Sequence, residues 1–146
     1  MNKKEKLLGE ILIEKGKINA GQLQEALEEQ KRSKGFLGSI LLRKGMIKEK
    51  DLAETLSEQF NIQFVDLDYK YIDWEVVKGF SPSLILDYKC FPFLKDADSV
   101  TVAITNPLDV WVLKKAEEAT RGFKLKLAIV SEGDMKELIQ RYKDYA

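Results

Sequence analysis

Four residues at one interval have the chemistry to hold a ligand: Gly9 and Gly38, Gln30 and Gln59, the members of each pair 29 positions apart. A glycine where a helix begins leaves backbone N–H groups and the positive end of the helix dipole open to an anion. A glutamine amide offers a donor and an acceptor side by side, which suits a polar ring edge. Leu8, Leu23 and Leu27, with Leu37, Leu52 and Leu56 at the same interval, supply apolar walls of the kind that line most small-molecule pockets. Each type also has a plainer use. The glycines permit close helix packing, the leucines form core, and a glutamine ending a helix faces water.

The elements that must position these groups come from a duplication. Residues 7–30 read LLGEILIEKGKINAGQLQEALEEQ and residues 36–59 read FLGSILLRKGMIKEKDLAETLSEQ; the copies align without a gap and agree at 12 of 24 positions. Two copies are too few for a free-standing solenoid, so they must bury their apolar faces against each other and against the remainder of the chain. Leu7, Leu8, Ile11 and Leu12 have helical spacing, and Gly16 falls where that helix stops in left-handed backbone. Asn19 and Gln22 form the pattern of a capping box that opens a second helix, with Ile18 placed to staple onto Leu23. Copy two repeats the plan with Gly45 as its stop, but its cap position holds Lys48, a poor N-cap. The spacer 31–35 begins Lys31-Arg32-Ser33-Lys34 and reads as a solvated loop, the best local phosphate patch.

After Gln59 the period changes. Residues 60–67 alternate and read as extended chain; Asp73 and Ser81 cap two short helices, with Pro82 at the favoured first position. Cys90–Leu94, a turn at residues 96–99 and Val100–Ile104 form a hairpin signal. A helix from Asn106-Pro107-Leu108-Asp109 to about Thr120, a strand at Phe123–Val130 and a helix capped by Ser131 and running to Tyr142 complete the chain. The fold class is α+β: a duplicated helical repeat with about four helices in residues 1–60, a connecting extended and short helical segment in 61–89, and a small β-β-α-β-α domain in 90–146. The helix joining its last two strands makes a crossover that should be right-handed.

Composition removes several functions. The 24 basic and 24 acidic residues cancel, leaving no global field to draw the chain onto DNA or RNA. Histidine is absent, and with it the commonest general base and transition-metal ligand. The single cysteine, Cys90, excludes an internal disulfide and reads as inert packing. Asp66, Asp68, Asp73, Asp96 and Asp98 lack the spacing of a calcium loop and read as turn and cap residues. No GxxxxGK[ST] phosphate loop is present, so neither ATP hydrolysis nor any other catalysis is expected, and no cofactor. Trp74 and Trp111 read as anchors, and either is a candidate interface hot spot if exposed. The basic start MNKKEK leads into a helical pattern carrying Glu10 and Glu14, which is neither a signal peptide nor a membrane span; a cytoplasmic chain with no direct membrane insertion is expected.

The doubled pattern xLGxxLxxxGxIxxxxLxxxLxxQ resembles the N-terminal domain of type II secretion and type IV pilus assembly ATPases, the MshEN or GspE N-terminal domain, here without its motor. Phe64-Val65-Asp66-Leu67, Val102-Ala103-Ile104-Thr105-Asn106-Pro107-Leu108-Asp109 and Ser131-Glu132-Gly133-Asp134 occur in that family's order, so the resemblance covers roughly Leu7 to Tyr142. It implies one of two functions. In the first, the paired repeats bind cyclic di-GMP through Leu8, Gly9, Leu23, Leu27 and Gln30 and through Leu37, Gly38, Leu52, Leu56 and Gln59, with Arg32 and Lys34 as phosphate cations. In the second, the chain docks a platform protein of the secretion or pilus machinery, or the ATPase motor, and is held peripherally at the inner membrane by that partner. One departure bears on the choice. Binding members of the family usually carry arginine directly before Leu-Gly, where this chain has Leu7 and Phe36. Each charged hydrogen bond so lost costs about 1.5–3 kcal/mol.

Overall fold

The computed structural model describes residues 3–67 and 71–145; Asp68 lies outside them. Copy one of the repeat folds as α1 (Lys3–Glu14) and α2 (Ala20–Ser33), copy two as α3 (Leu37–Arg43) and α4 (Glu49–Phe60). Gly16 and Gly45 follow α1 and α3 at φ 73° and 71°, the left-handed backbone that a side chain would strain. The capping box forms: Asn19 Oδ1 accepts from the Gln22 N–H at 2.8 Å, and Gln22 Oε1 accepts from the Asn19 N–H at 2.9 Å. Lys48 makes no such bond.

Two expectations at the edges of the repeat are corrected. The helix α1 begins at Lys3, so Gly9 lies in its second turn and not at its start. The lysines and glutamates ahead of the motif are good helix formers and simply extend the helix. Likewise, Lys31-Arg32-Ser33 is no loop but the last turn of α2, closed by Lys34 in left-handed backbone (φ 57°) with its N–H on the Gln30 carbonyl.

Beyond α4 come β1 (Gln63–Phe64), α5 (Trp74–Lys78), α6 (Pro82–Leu86), β2 (Phe91–Lys95), β3 (Ser99–Ile104), α7 (Val110–Ala119), β4 (Lys124–Ile129) and α8 (Glu132–Tyr145). The sheet order is β1-β4-β3-β2, with β1, β4 and β3 parallel and β2 antiparallel to β3. The extended segment after α4 thus joins the sheet as an edge, Gln63 opposite Ala128. On the other edge the β2 register shifts between Pro92 and Leu94, a bulge. Asp73, Ser81 and Asp109 cap α5, α6 and α7, and the Ser131 hydroxyl oxygen accepts from the Asp134 N–H at 3.1 Å. Asp96 holds the hairpin turn, accepting from the Asp98 and Ser99 N–H groups at 2.9 and 2.7 Å; these bonds hold its carboxyl below the usual carboxylate range.

Strand alternation sends the sheet's two faces into two cores. Val100, Val102 and Ile104 of β3 with Ile129 of β4 belong to a cluster that also takes in Cys90, Ala116 and Leu8, Leu12, Leu37, Leu41 and Leu56 of the repeats. The opposite face buries Ala103, Ala128 and Val130 against Val77, Ile85, Met135 and Leu138. The repeats therefore share one continuous apolar core with the sheet, where each fully buried leucine stabilises by about 1.5–3 kcal/mol. Trp74 is an anchor as expected, edge-on to Phe91 at 6.0 Å and stacked on Tyr145 at 5.1 Å. Trp111 is not: it is 63% exposed, because it opens α7 off the inward stripe of Val112, Leu113 and Ala116. Among the described residues no helix is long and apolar enough to cross a membrane.

Candidate functional site

The duplicated glycines are contact points between the helices of each copy. A Cβ on Gly9 would lie 2.8 Å from Leu23 Cδ1, and one on Gly38 would lie 3.1 Å from Leu52 Cδ2. Leu23 and Leu52 are themselves equivalent, so each first helix is allowed to approach its second by the same missing side chain. Gly9 also faces Leu37 Cδ2, 3.5 Å from its notional Cβ, which brings copy one against the start of copy two. Gly38, the second residue of α3, lies near a helix start as expected.

What occupies that start is a side chain outside the doubled motif, one that sequence reasoning misses. Glu5 is buried (7% exposed), and its carboxylate reaches across copies: Oε1 accepts from the Leu37 N–H at 2.9 Å, and Oε2 accepts from Gln30 Nε2 at 3.2 Å. Phe36, the residue before α3, supplies no side-chain cap, so Glu5 does that work from 32 residues away. The same carboxylate meets the helix's positive end, where negative charge is favoured. Only a burial pattern could have hinted at it, since Glu5 falls one turn before Leu8 and Gly9 on the face that packs inward.

Both glutamines converge on this turn. Gln30 Nε2 also donates to the Gly35 carbonyl at 3.0 Å, and Gln59 Nε2 donates to the Lys4 carbonyl at 2.9 Å. Gln59 Oε1 is buried without a hydrogen-bond partner among the described residues. The first turn of α1, Lys4 and Glu5, therefore lies between two amides that are equivalent in the repeat. The remaining expected site residues divide. Leu8, Gly38, Leu52 and Leu56 line a cavity of about 10 Å³ together with Ser39, Thr105, Asn106, Leu108 and Glu132. That is room for no more than a water, whereas ligand pockets run to several hundred Å³. Leu23 and Leu27 are half-buried and pack on the core. Arg32 is exposed and pairs with Glu29 at 3.2 Å; Lys34 is exposed at the end of α2.

Other polar contacts tie the repeats together and to the last helix. Lys15 pairs with Glu58 at 2.5 Å and Lys17 with Asp51 at 3.3 Å, joining the turn after α1 to α4. Glu49 Oε2 accepts from the Gly133 N–H at 3.0 Å, joining α4 to the first turn of α8. Burial, then the charge of Asp109, pushes the Cys90 thiol up to about 12, so it is protonated and inert at neutral pH. Among the described residues no cluster of carboxylate or thiol groups has the arrangement to hold a metal ion.

The architecture is that of a small α+β domain in which a duplicated helical pair caps one face of a mixed sheet. The MshEN domain model matches residues 60–146, more than half of the chain, and the chain belongs to the MshEN domain family. The match begins at Phe60, so it rests on the sheet half and stands independently of the doubled motif, which resembles the same family. Among solved structures, MshE with cdg is similar at a TM-score of 0.81, with 23% identity over 92% of this chain and 97% of that one. Two crystal forms of the N-terminal domain of XpsE are similar at TM-scores of 0.76 and 0.62, with 23% and 24% identity. Each covers 97% of this chain, and 96% and 97% of the XpsE domain respectively. No curated protein sequence matches the chain.

Proposed function

We propose that this chain is a regulatory docking domain of the type II secretion and type IV pilus ATPase kind, binding a platform protein or motor and catalysing nothing itself. In this reading the paired repeats are a scaffold that has given up its nucleotide. The observation that carries it is Glu5. A cyclic dinucleotide needs free donors for two phosphates, and here a buried carboxylate of the chain itself already takes the Leu37 N–H and the Gln30 amide. The positions before each Leu-Gly pair, Leu7 and Phe36, add no cation to compete with it. A cytoplasmic site of action, peripheral to the inner membrane through the partner, accompanies this function.

A second reading, in which the repeats bind cyclic di-GMP, is supported by the similarity to MshE with cdg and by the approach of both glutamines to one turn. It requires Lys4 and Glu5 to leave the space between the amides, which lowers the apparent affinity by the fraction of molecules so opened. Calorimetry separates the two. The docking reading expects no heat with cyclic di-GMP at high micromolar concentration, and capture of a platform protein's cytoplasmic domain. Saturable micromolar binding by the unaltered chain, weakened by Gln30→Ala with Gln59→Ala and untouched by Cys90→Ser, would establish the nucleotide reading instead. A Leu7→Arg, Phe36→Arg variant sharpens the result, since a regained affinity would locate the loss at those two positions.

A further inference from the structure

Phe36 borders a cleft of about 430 Å³ that the repeat motif does not account for. It opens at the carboxyl ends of β3 and β4, between Thr105-Asn106 after one strand and Glu132 after the other. The helices that follow these strands pack on opposite faces, α7 with the repeats and α8 with the far core. In open parallel sheets such a divergence leaves a crevice where ligands bind. Its chemistry is lopsided. Asp87, Asp109 and Glu132 share the lining with one lysine, Lys89; Asp87 accepts from the Ser83 hydroxyl and Asp109 from the Trp111 and Val112 N–H groups, while the Glu132 side chain has no hydrogen-bond or ion-pair partner among the described residues. The rest of the lining includes Phe36, Tyr88 and the exposed Trp111, whose neighbour Val110 is 68% exposed. Two of the rings already attract cations: Lys114 Nζ lies 5.4 Å from the Trp111 ring and Lys115 Nζ 5.1 Å from Tyr88.

We propose that this cleft is a docking site for an arginine side chain carried on an apolar segment of a partner protein. A guanidinium stacks on aromatic rings and pairs with carboxylates in one plane, which matches this combination better than a lysine or an anion does. The apolar rim of Val110 and Trp111, open to solvent, fits a polypeptide rather than an enclosed metabolite. The proposal rests on the docking reading and names the chemistry of the partner.

The two tryptophans provide reporter and control, since Trp74 is enclosed by Phe91 and Tyr145 in the other core. The ¹⁵N-labelled full chain is titrated with acetyl-Gly-Leu-Arg-Arg-Leu-Gly-amide, and the two indole N–H resonances are followed. The expected result is a saturable shift of Trp111 alone, weakened at least tenfold by Asp87→Asn with Glu132→Gln, both at exposed or half-exposed positions outside the folding core. The proposal is overturned if Trp111 does not move at low-millimolar peptide, if the peptide with glutamates in place of arginines binds as well, or if the neutralised variant binds unchanged. Free argininamide binding as tightly as the peptide would also overturn it, in favour of a metabolite site. Capture of the platform domain that survives Trp111→Ala would reject the cleft while leaving the docking reading intact.

Discussion

The two copies of the repeat share half their residues and the same helix-glycine-helix plan, yet they are held at their starts in different ways. Copy one opens with an extra turn, Lys3–Lys6, that belongs to α1; copy two has no such turn, and α3 opens at Leu37. The residue equivalent to Glu5 in copy two is Lys34, which ends α2 in left-handed backbone and carries the opposite charge. One copy therefore caps the other, and the favour is not returned. The second helices differ in the opposite sense of regularity: α2 has a full capping box, whereas α4 begins at Lys48 with no side-chain bond. Duplication supplied a common packing geometry at Gly9–Leu23 and Gly38–Leu52, and divergence then turned the ends to different uses.

Four measurements test this contrast. The largest effect belongs to what the copies share. Leu12→Ala and Leu41→Ala, equivalent and both fully buried, should each cost about 2–5 kcal/mol in urea unfolding. A cost confined to one of them would mean the copies are not packed alike. Next comes what they do not share: Glu5→Ala strands the Leu37 N–H and one Gln30 donor bond and should cost about 1–3 kcal/mol. The equivalent Lys34→Ala should stay within about 0.5 kcal/mol, and hydrogen exchange at the Leu37 amide should rise only in the first variant. Equal costs would dismiss the asymmetry.

The caps give a smaller, signed effect. Asn19→Ala should destabilise by about 0.5–2 kcal/mol, while Lys48→Asn should stabilise by up to about 1 kcal/mol by supplying the bond α4 lacks. Two changes of the same sign would refute the assignment. Last, Cys90 reports whether the copies unfold together. Its thiol, raised from 9.0 to about 12, favours the folded state fully below pH 9, and this contribution is lost as pH rises towards 12. At pH 8 it should stay unreactive to a thiol reagent until the fold opens, with the same urea midpoint as the loss of helix signal. Helix loss preceding thiol exposure would show that a repeat melts separately from the sheet.

Much of this was legible in the chain. Gly16, Gly45, Asn19, Asp73, Ser81 and Pro82 announce element ends because capping and turn chemistry act within a few residues, and there the expectations match the structure. The helix-strand order of the second half is readable from periodicity for the same reason. What was not legible is long-range. The span from Glu5 to Leu37, and the pairing of Gln63 with Ala128, depend on how elements meet rather than on local composition. Apolar helical spacing first shows at Leu7, so the extra turn Lys3–Lys6 is not announced by it, although lysine and glutamate favour helix as well as water. Whether Trp111 is an anchor or an exposed ring is not decided by its type, and its position on α7 leaves it exposed. The candidate ligand residues are visible as a set, but the turn that lies between them is not.

The borders of the sheet have a consequence for crowding. On one side β1 is only two residues long, and on the other β2 carries Pro92, which has no N–H to offer, beside its bulge. Neither border is a good template for a foreign strand, so two copies at high concentration should not zip into a shared ribbon. Association then falls to side chains on the helical faces, where it can be selective and reversible.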